Sequence, residues 1–447
     1  MKHEDEVLQS LGLLGRREAL VRGLFGAGML GLRSLATGIP AAVLLSPLSA
    51  RAECTDKARA QYLILSASEA GDPINANVPG TYEAPEIAHS PDPLMAATAL
   101  SLAGKATTAA KPWAELPQNI LDRSCFFHHG TLTSAHPNHP KVLRAMGATK
   151  RSEMIMSVYA KHLATCLDTV QMAPVSLGAG RNPAEVVFYE GRSLPSLSPR
   201  GLRATLTNTA GPLTDLQKLR DADLDRLNAI FKEQGTNVQR AYLDRMARSQ
   251  REARAISQQL LDSLSAITSD DAASQVAAAA ILIKMNVTPV VTVHIPFGGD
   301  NHSDADLAKE TRETVSGVAT IALLFQKLTE LGLADRVTFA TMNVFGRTLS
   351  SKGTAGRDHL GNHHVTVMIG KQLKGGIVGG VAKNEKGADW KAVPIASATG
   401  AGGPGGDIPF EDSLGAASKT LGAALGVPAT VLDDQIEKGK IVTGALA

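Results

Sequence analysis

Thr288-Pro289-Val290-Val291-Thr292-Val293-His294-Ile295, running straight on into Gly298-Gly299-Asp300-Asn301-His302, sets the architecture of this chain. A short β-branched run closed by glycines reads as a buried strand, and the Asp/His segment as the loop beyond its carboxyl end. Residues 311–332 then repeat at helical spacing, with Val315, Val318, Ala319, Ala322, Leu323, Phe325 and Leu328 inward, and stop at Gly332. Arg336-Val337-Thr338-Phe339-Ala340-Thr341-Met342 is the next strand and exits into Asn343-Val344-Phe345-Gly346-Arg347-Thr348. Strand, helix and strand in that order predict a right-handed crossover in a parallel sheet, with both exit loops on one edge. Ligands of open α/β sheets bind at that edge.

Working outward, Gln61-Tyr62-Leu63-Ile64-Leu65-Ser66 is another buried parallel strand, closed by Gly71-Asp72-Pro73. Asp72 therefore lies beyond a strand end and is a candidate ligand, a turn-forming aspartate being the simpler role. Residues 81–120 read as loops with a short helix or two. Val365-Thr366-Val367-Met368-Ile369-Gly370 supplies a further strand, and Gly375-Gly376-Ile377-Val378-Gly379-Gly380 a small hairpin or edge strand. The charged segment 215–269 places Leu219, Leu224, Leu227, Ile230 and Phe231 at helical spacing, and an alanine-rich helix follows at 272–283. Together these predict a helical insertion over about 213–283 between two halves of a mostly parallel sheet flanked by helices. Helices over 413–425 and 429–438 end the chain. The glycine-rich run 400–406 lacks the lysine and hydroxyl of a phosphate loop and reads as a connection.

With 447 residues and 44% hydrophobic content, the chain is long enough for a large α/β body, read here as one domain over 53–447. Aromatic residues make up only 4%, which is thin for stacking on single-stranded nucleic acid. Near the N-terminus, Gly15-Arg16-Arg17-Glu18 leads into a weakly apolar run ending at Ala50-Arg51-Ala52, the pattern of a twin-arginine export signal over 1–52. Arg33, Gly38 and Pro40 interrupt the roughly 20 apolar residues a membrane span needs, so no anchor is expected. Loss of residues 1–52 removes six basic and four acidic residues and leaves 39 of each, so no polyanionic partner is implied. A periplasmic or secreted location suits a disulfide among Cys54, Cys125 and Cys166. Cys125 with Cys166 is the favoured pair, because Cys54 would sit almost at the mature terminus.

Four of the twelve histidines fall in Gly298-Gly299-Asp300-Asn301-His302 and Gly356-Arg357-Asp358-His359-Leu360-Gly361-Asn362-His363-His364. Imidazole and carboxylate at this density suggest a metal site. Asp300 to Asp306 alternates like a calcium loop, but the sixth position is Ala305 and the twelfth Thr311, which excludes an EF-hand. Phe126-Phe127-His128-His129-Gly130-Thr131-Leu132-Thr133-Ser134-Ala135-His136-Pro137-Asn138-His139 holds four more histidines among hydroxyls. It is read as a polar loop able to carry a nucleophile or metal ligands.

These motifs resemble a bacterial family of exported proteins, domain of unknown function 1501, which looks related to the alkaline phosphatase and sulfatase superfamily. The family's Gly-Gly-Trp-Asp-Thr-His is similar to Gly298–His302, its Ser-Glu-Phe-Gly-Arg-Thr to Asn343–Thr348, and its Gly-Thr-Asp-His-Gly to Gly356–Leu360. Gly71-Asp72-Pro73-Ile74-Asn75 extends the likeness towards the start of the mature chain. The resemblance implies an alkaline-phosphatase-like fold and hydrolysis of small-molecule or polymer-linked phosphate or sulfate esters. It implies two divalent ions about 4 Å apart, of zinc, calcium or manganese, with Asp300 and His302 on one and Asp72, Asp358 and His359 on the other. His363 or His364 would complete either site, and Arg347 would pair with a substrate oxygen. The nucleophile would be Thr131, Thr133 or Ser134, with Ser134 preferred. Val344 stands where the family has glutamate, and an apolar valine neither ligates metal nor moves a proton. A non-catalytic binding or surface protein on the same fold is therefore the alternative.

Overall fold

The computed structural model describes residues 60–447 apart from 168–172, 179–186, 195, 208–213, 238–239, 241–242, 245–246, 248–257, 351–354 and 386–388. The twin-arginine segment and Cys54 lie outside the described residues.

Among the described residues, eight strands form the central sheet: β1 (Tyr62–Ser68), β2 (Ser124–His129), β3 (Val175–Leu177), β4 (Ser196–Leu197), β5 (Val290–Val293), β6 (Val337–Asn343), β7 (His364–Ile369) and β8 (Gly376–Val378). Their spatial order is β8-β2-β7-β6-β1-β5-β3-β4. The crossover read from the sequence is present, but β5 and β6 are not neighbours. Each lies parallel to β1, which is inserted between them. β7 alone runs against the rest, pairing antiparallel with both β6 and β2. Its amino end therefore meets the carboxyl ends of the other seven strands. The second Asp/His cluster reaches the functional edge by this reversal, not by following a parallel strand.

Every residue of β1 and β6 is buried, as expected of parallel strands covered on both faces. Successive side chains alternate between two cores: Tyr62 and Ile64 pack on one face, Leu63 and Leu65 on the other. Helices α3 (Ala272–Lys284) and α4 (Ala308–Glu330) cover the first face, and α1 (Ile155–Leu167) and α5 (Ser413–Ala424) the second. In α4 the inward stripe is Thr311, Thr314, Gly317, Val318, Ile321, Leu324, Phe325 and Leu328. Ala319, expected inside, is exposed. The stripe is rotated because Gly317 lets the helix touch Phe297 and the Pro296 carbonyl, where any Cβ would clash.

Three expectations change. Residues 97–102 and 105–110 form a hairpin instead of loops. Its alanine- and threonine-rich strands hide the alternation, and its Ala103-Gly104 turn takes positive φ at both residues, as two-residue hairpins prefer. Cys125 is a free, buried thiol while Cys166 is disulfide-bonded, so the favoured Cys125–Cys166 pair does not form. The partner of Cys166 lies outside the described residues. On α2 (Thr214–Gln234), Leu227, Ile230 and Phe231 remain exposed instead of packing inward. Among the described residues, no helix is long and apolar enough to cross a membrane.

Candidate functional site

The exit of β1 is the foundation of the site. Asp72 is fully buried, and its Oδ1 accepts N–H groups from Phe297 at 2.9 Å and Gly299 at 2.8 Å. That carboxylate folds the loop after β5, while its Oδ2 is buried without a partner. Gly298 has φ +121°, and a Cβ there would lie 2.6 Å from Pro73. Only glycine suits both conditions. The tight turn lifts Asp300 and His302 to the open side, about half and somewhat under half exposed.

Gly346–Arg347 and His359–Leu360 form a small antiparallel ladder that sets Arg347 opposite His359. Arg347 is wholly buried. Its Nε donates to the Gly71 carbonyl, Nη2 to the Ala70 carbonyl and Asp300 Oδ1 (3.1 Å), and Nη1 to the Arg357 carbonyl and His302 Nε2 (3.5 Å). All five N–H groups thus point inward. In this position Arg347 braces Asp300 and the loop after β1 instead of offering donors to a ligand.

Three histidines face Asp300. His136 Nδ1 donates to the Glu69 carbonyl at 2.6 Å, His359 Nδ1 to the Ser134 carbonyl at 2.7 Å, and His302 Nδ1 to the Asp358 carboxylate at 2.9 Å. Carbonyl and carboxylate oxygens can only accept, so each ring carries a proton on Nδ1 and turns Nε2 to the centre. His302 Nε2 and His359 Nε2 lie 2.8 Å apart. Asp300 reaches His302 Nε2 at 3.4 Å and His136 Nε2 at 3.8 Å. One donor atom each of His136, Asp300 and His359 lies within 4.8 Å of the others, close enough to hold one metal ion. Burial pushes the His359 pKa down and Arg347, His136 and His302 add to this, outweighing the Ser134 carbonyl. Burial pulls Asp300 up, but Arg347, His302 and His136 outweigh it and keep the carboxylate ionised. Neutral imidazole beside charged carboxylate is the form that ligates metal.

Behind the centre, Glu310 and Arg357 form a buried ion pair. Arg357 Nε and Nη2 reach Glu310 at 2.7 and 3.1 Å, and Asn77 and Asn301 each donate to the same carboxylate at 3.0 Å. One side chain on α4 thereby ties together the loops that carry Asp72, Asp300 and Asp358.

Asp300, His302, Asp358 and His359 come together as the sequence suggested, with Arg347 beneath them. Asp72 serves the loop from below. His363 is elsewhere: it is fully buried, 3.0 Å from His128 and 3.3 Å from Asn75, in an array with His129 and His364. His128 and His129 belong to strand β2, not to a polar loop. Thr131 and Thr133 are buried, with Thr131 bonded to the Thr133 carbonyl and Thr133 accepting from Ala135 and Asn138. Ser134 is exposed. His136, named only within its cluster, enters as a full participant; its separation from Asp300 by more than 160 residues hid the pairing. Val344 is part of the apolar core under the sheet edge.

Residues 195–395 match the model of a family described as a protein of unknown function, DUF1501. The DUF1501 span contains Asp300, His302, Arg347, Asp358 and His359, whereas Asp72 and His136 precede it. No curated protein matches the chain.

Proposed function

We propose that the chain is an exported, divalent-metal-dependent hydrolase of phosphate or sulfate esters, allied to the alkaline phosphatase and sulfatase superfamily. The observation that carries this reading is the grouping of His136, Asp300 and His359 within reach of one metal ion on the open carboxyl edge of the sheet, with His302 Nε2 2.8 Å from His359 and 3.4 Å from Asp300. A cation held there would offset negative charge developing on the ester oxygens. Of the three candidate hydroxyls, only Ser134 is exposed, and its carbonyl already orients His359, so it is the nucleophile in this reading. Export through a twin-arginine signal over residues 1–52 delivers the protein already folded, with its metal in place.

Chelation of the purified full chain is expected to abolish turnover of an aryl phosphate or aryl sulfate, and added zinc or manganese to restore it. His359→Ala should lower turnover more than about 100-fold, beyond the range of an indirect metal-site change. A metal-free protein from cytoplasmic expression, inert on both substrate classes before and after metal addition, would refute the reading. Since Arg347 is turned inward, Lys309 is the cation placed for a substrate oxygen, its Nζ 3.2 Å from the Asp300 carbonyl. Lys309→Ala is expected to raise KM by no more than about fivefold, the scale of an exposed charge contact, with kcat unchanged.

The inward Arg347 and the core position of Val344 favour a second reading, a non-catalytic exported binding protein with a structural metal. Ester hydrolysis that disappears in Asp300→Ala or His359→Ala rules it out.

A further inference from the structure

We propose that the centre holds a single ion of the zinc class, ligated by Nε2 of His136, His302 and His359 and by Asp300, and that Asp358 is a positioning residue, not a ligand. This deepens the metal part of the reading above and does not depend on ester hydrolysis.

Donor geometry is the first argument. Zinc–nitrogen bonds of about 2.0–2.1 Å in a tetrahedron place ligand atoms roughly 3.4 Å apart. The distances here are 2.8 Å between Nε2 of His302 and of His359, 3.4 Å from His302 Nε2 to Asp300 Oδ1 and 3.8 Å from His136 Nε2 to the other oxygen, Asp300 Oδ2. Two Nε2 lone pairs facing each other at 2.8 Å repel unless a cation or proton lies between them. With each Nδ1 already occupied as a donor, all three rings present the same atom, Nε2, inward.

The outer contacts are the second argument. Metal-binding imidazoles typically donate their remaining N–H to a carbonyl or carboxylate, which fixes tautomer and ring plane. All three rings do so, through Glu69, Ser134 and Asp358. Asp358 Oδ1 holds His302 on the side remote from Nε2, which is the orienting position.

The third argument limits the count to one. A second ion on Asp72, Asp358, His359 and His363 would need donors used elsewhere. Of these, His359 Nε2 faces His302 and His363 is bonded to His128 inside the sheet, so the second set keeps no imidazole and is left with carboxylates alone, Asp72 through its unpartnered Oδ2 and Asp358. Three imidazoles also select against calcium and magnesium, which take oxygen ligands.

The test is titration of the metal-stripped full chain with cobalt(II). One equivalent should bind with the visible absorption of a four-coordinate nitrogen-rich site, zinc should displace it, and excess calcium should not. His136→Ala should weaken cobalt binding more than about 100-fold and shift the spectrum. Asp358→Asn should weaken it by roughly 10- to 100-fold with the spectral shape retained. Circular dichroism confirms that each variant is folded. Two equivalents of cobalt, displacement by calcium, an unchanged spectrum in His136→Ala, or loss of the four-coordinate spectrum in Asp358→Asn would each overturn the proposal. Single-ion binding without turnover defeats only the hydrolase reading, whereas turnover that requires two ions defeats only this one.

Discussion

Glu310→Ala is expected to cost about 3–5 kcal/mol of folding stability, the usual penalty for stripping one partner from a buried ion pair. Glu310 is fully buried and accepts four hydrogen bonds, two from Arg357 and one each from Asn77 and Asn301. Alanine leaves the Arg357 guanidinium, only 3% exposed, without its counter-charge. Loops after β1, β5 and β6 lose their common tether, so metal affinity should fall with stability. Denaturant unfolding measures the effect, and Lys327→Ala is the control. Lys327 sits on the same helix in an exposed pair with Glu330, worth at most about 1 kcal/mol. Equal losses in the two variants would show that the buried pair does not brace the site.

Acid should destabilise the protein progressively from about pH 6.5 down to about pH 4. Burial pushes His128 and His129 down to about 4, and holds His363 and His364 well below the ordinary histidine value. Their hydrogen-bond partners are the Pro79 and Gly130 carbonyls, Asn75, Thr366, the Asn343 backbone and one another, with no carboxylate among them. A depressed folded-state pKa means that the unfolded chain takes up protons first. Stability is complete above about pH 6.5, where unfolded histidines titrate, and falls from there towards pH 4. Each histidine contributes about 1.4 kcal/mol per pH unit within that window, so His128 and His129 each account for roughly 3 kcal/mol. Urea midpoints between pH 7.5 and 4.5 test this. His128→Gln combined with His129→Gln should flatten the slope, and a slope unchanged by that pair would contradict the burial argument.

The crossover was legible because four consecutive β-branched residues, an amphipathic helix and a second apolar strand carry their own periodicities. The Asp300, His302, Asp358 and His359 cluster was legible from residue chemistry and from the resemblance to DUF1501 proteins. Three things were hidden, each for a physical reason. The reversal of β7 depends on pairing with β2, more than 230 residues earlier, and no local pattern encodes strand direction. His128, His129, His363 and His364 looked like solvated or ligating histidines. They are core residues because Asn75, Thr366, backbone groups and one another satisfy their nitrogens, all but His364 Nδ1, which is buried without a partner. Arg347 was assigned to substrate by the family resemblance, and only the surrounding carbonyls reveal a brace.

The position of β1 also governs how the chain reaches this structure. Tyr62 pairs with Val337, and Leu63 with Val290, so the central strand is made long before either neighbour exists. At about 5–20 residues per second, synthesis of the chain up to the first of them takes roughly 10–45 s. During that interval a seven-residue apolar strand has no partner in its own sheet, a state that invites chaperone binding or aggregation. A premature stop before β6 should therefore yield an insoluble fragment, not a smaller folded domain.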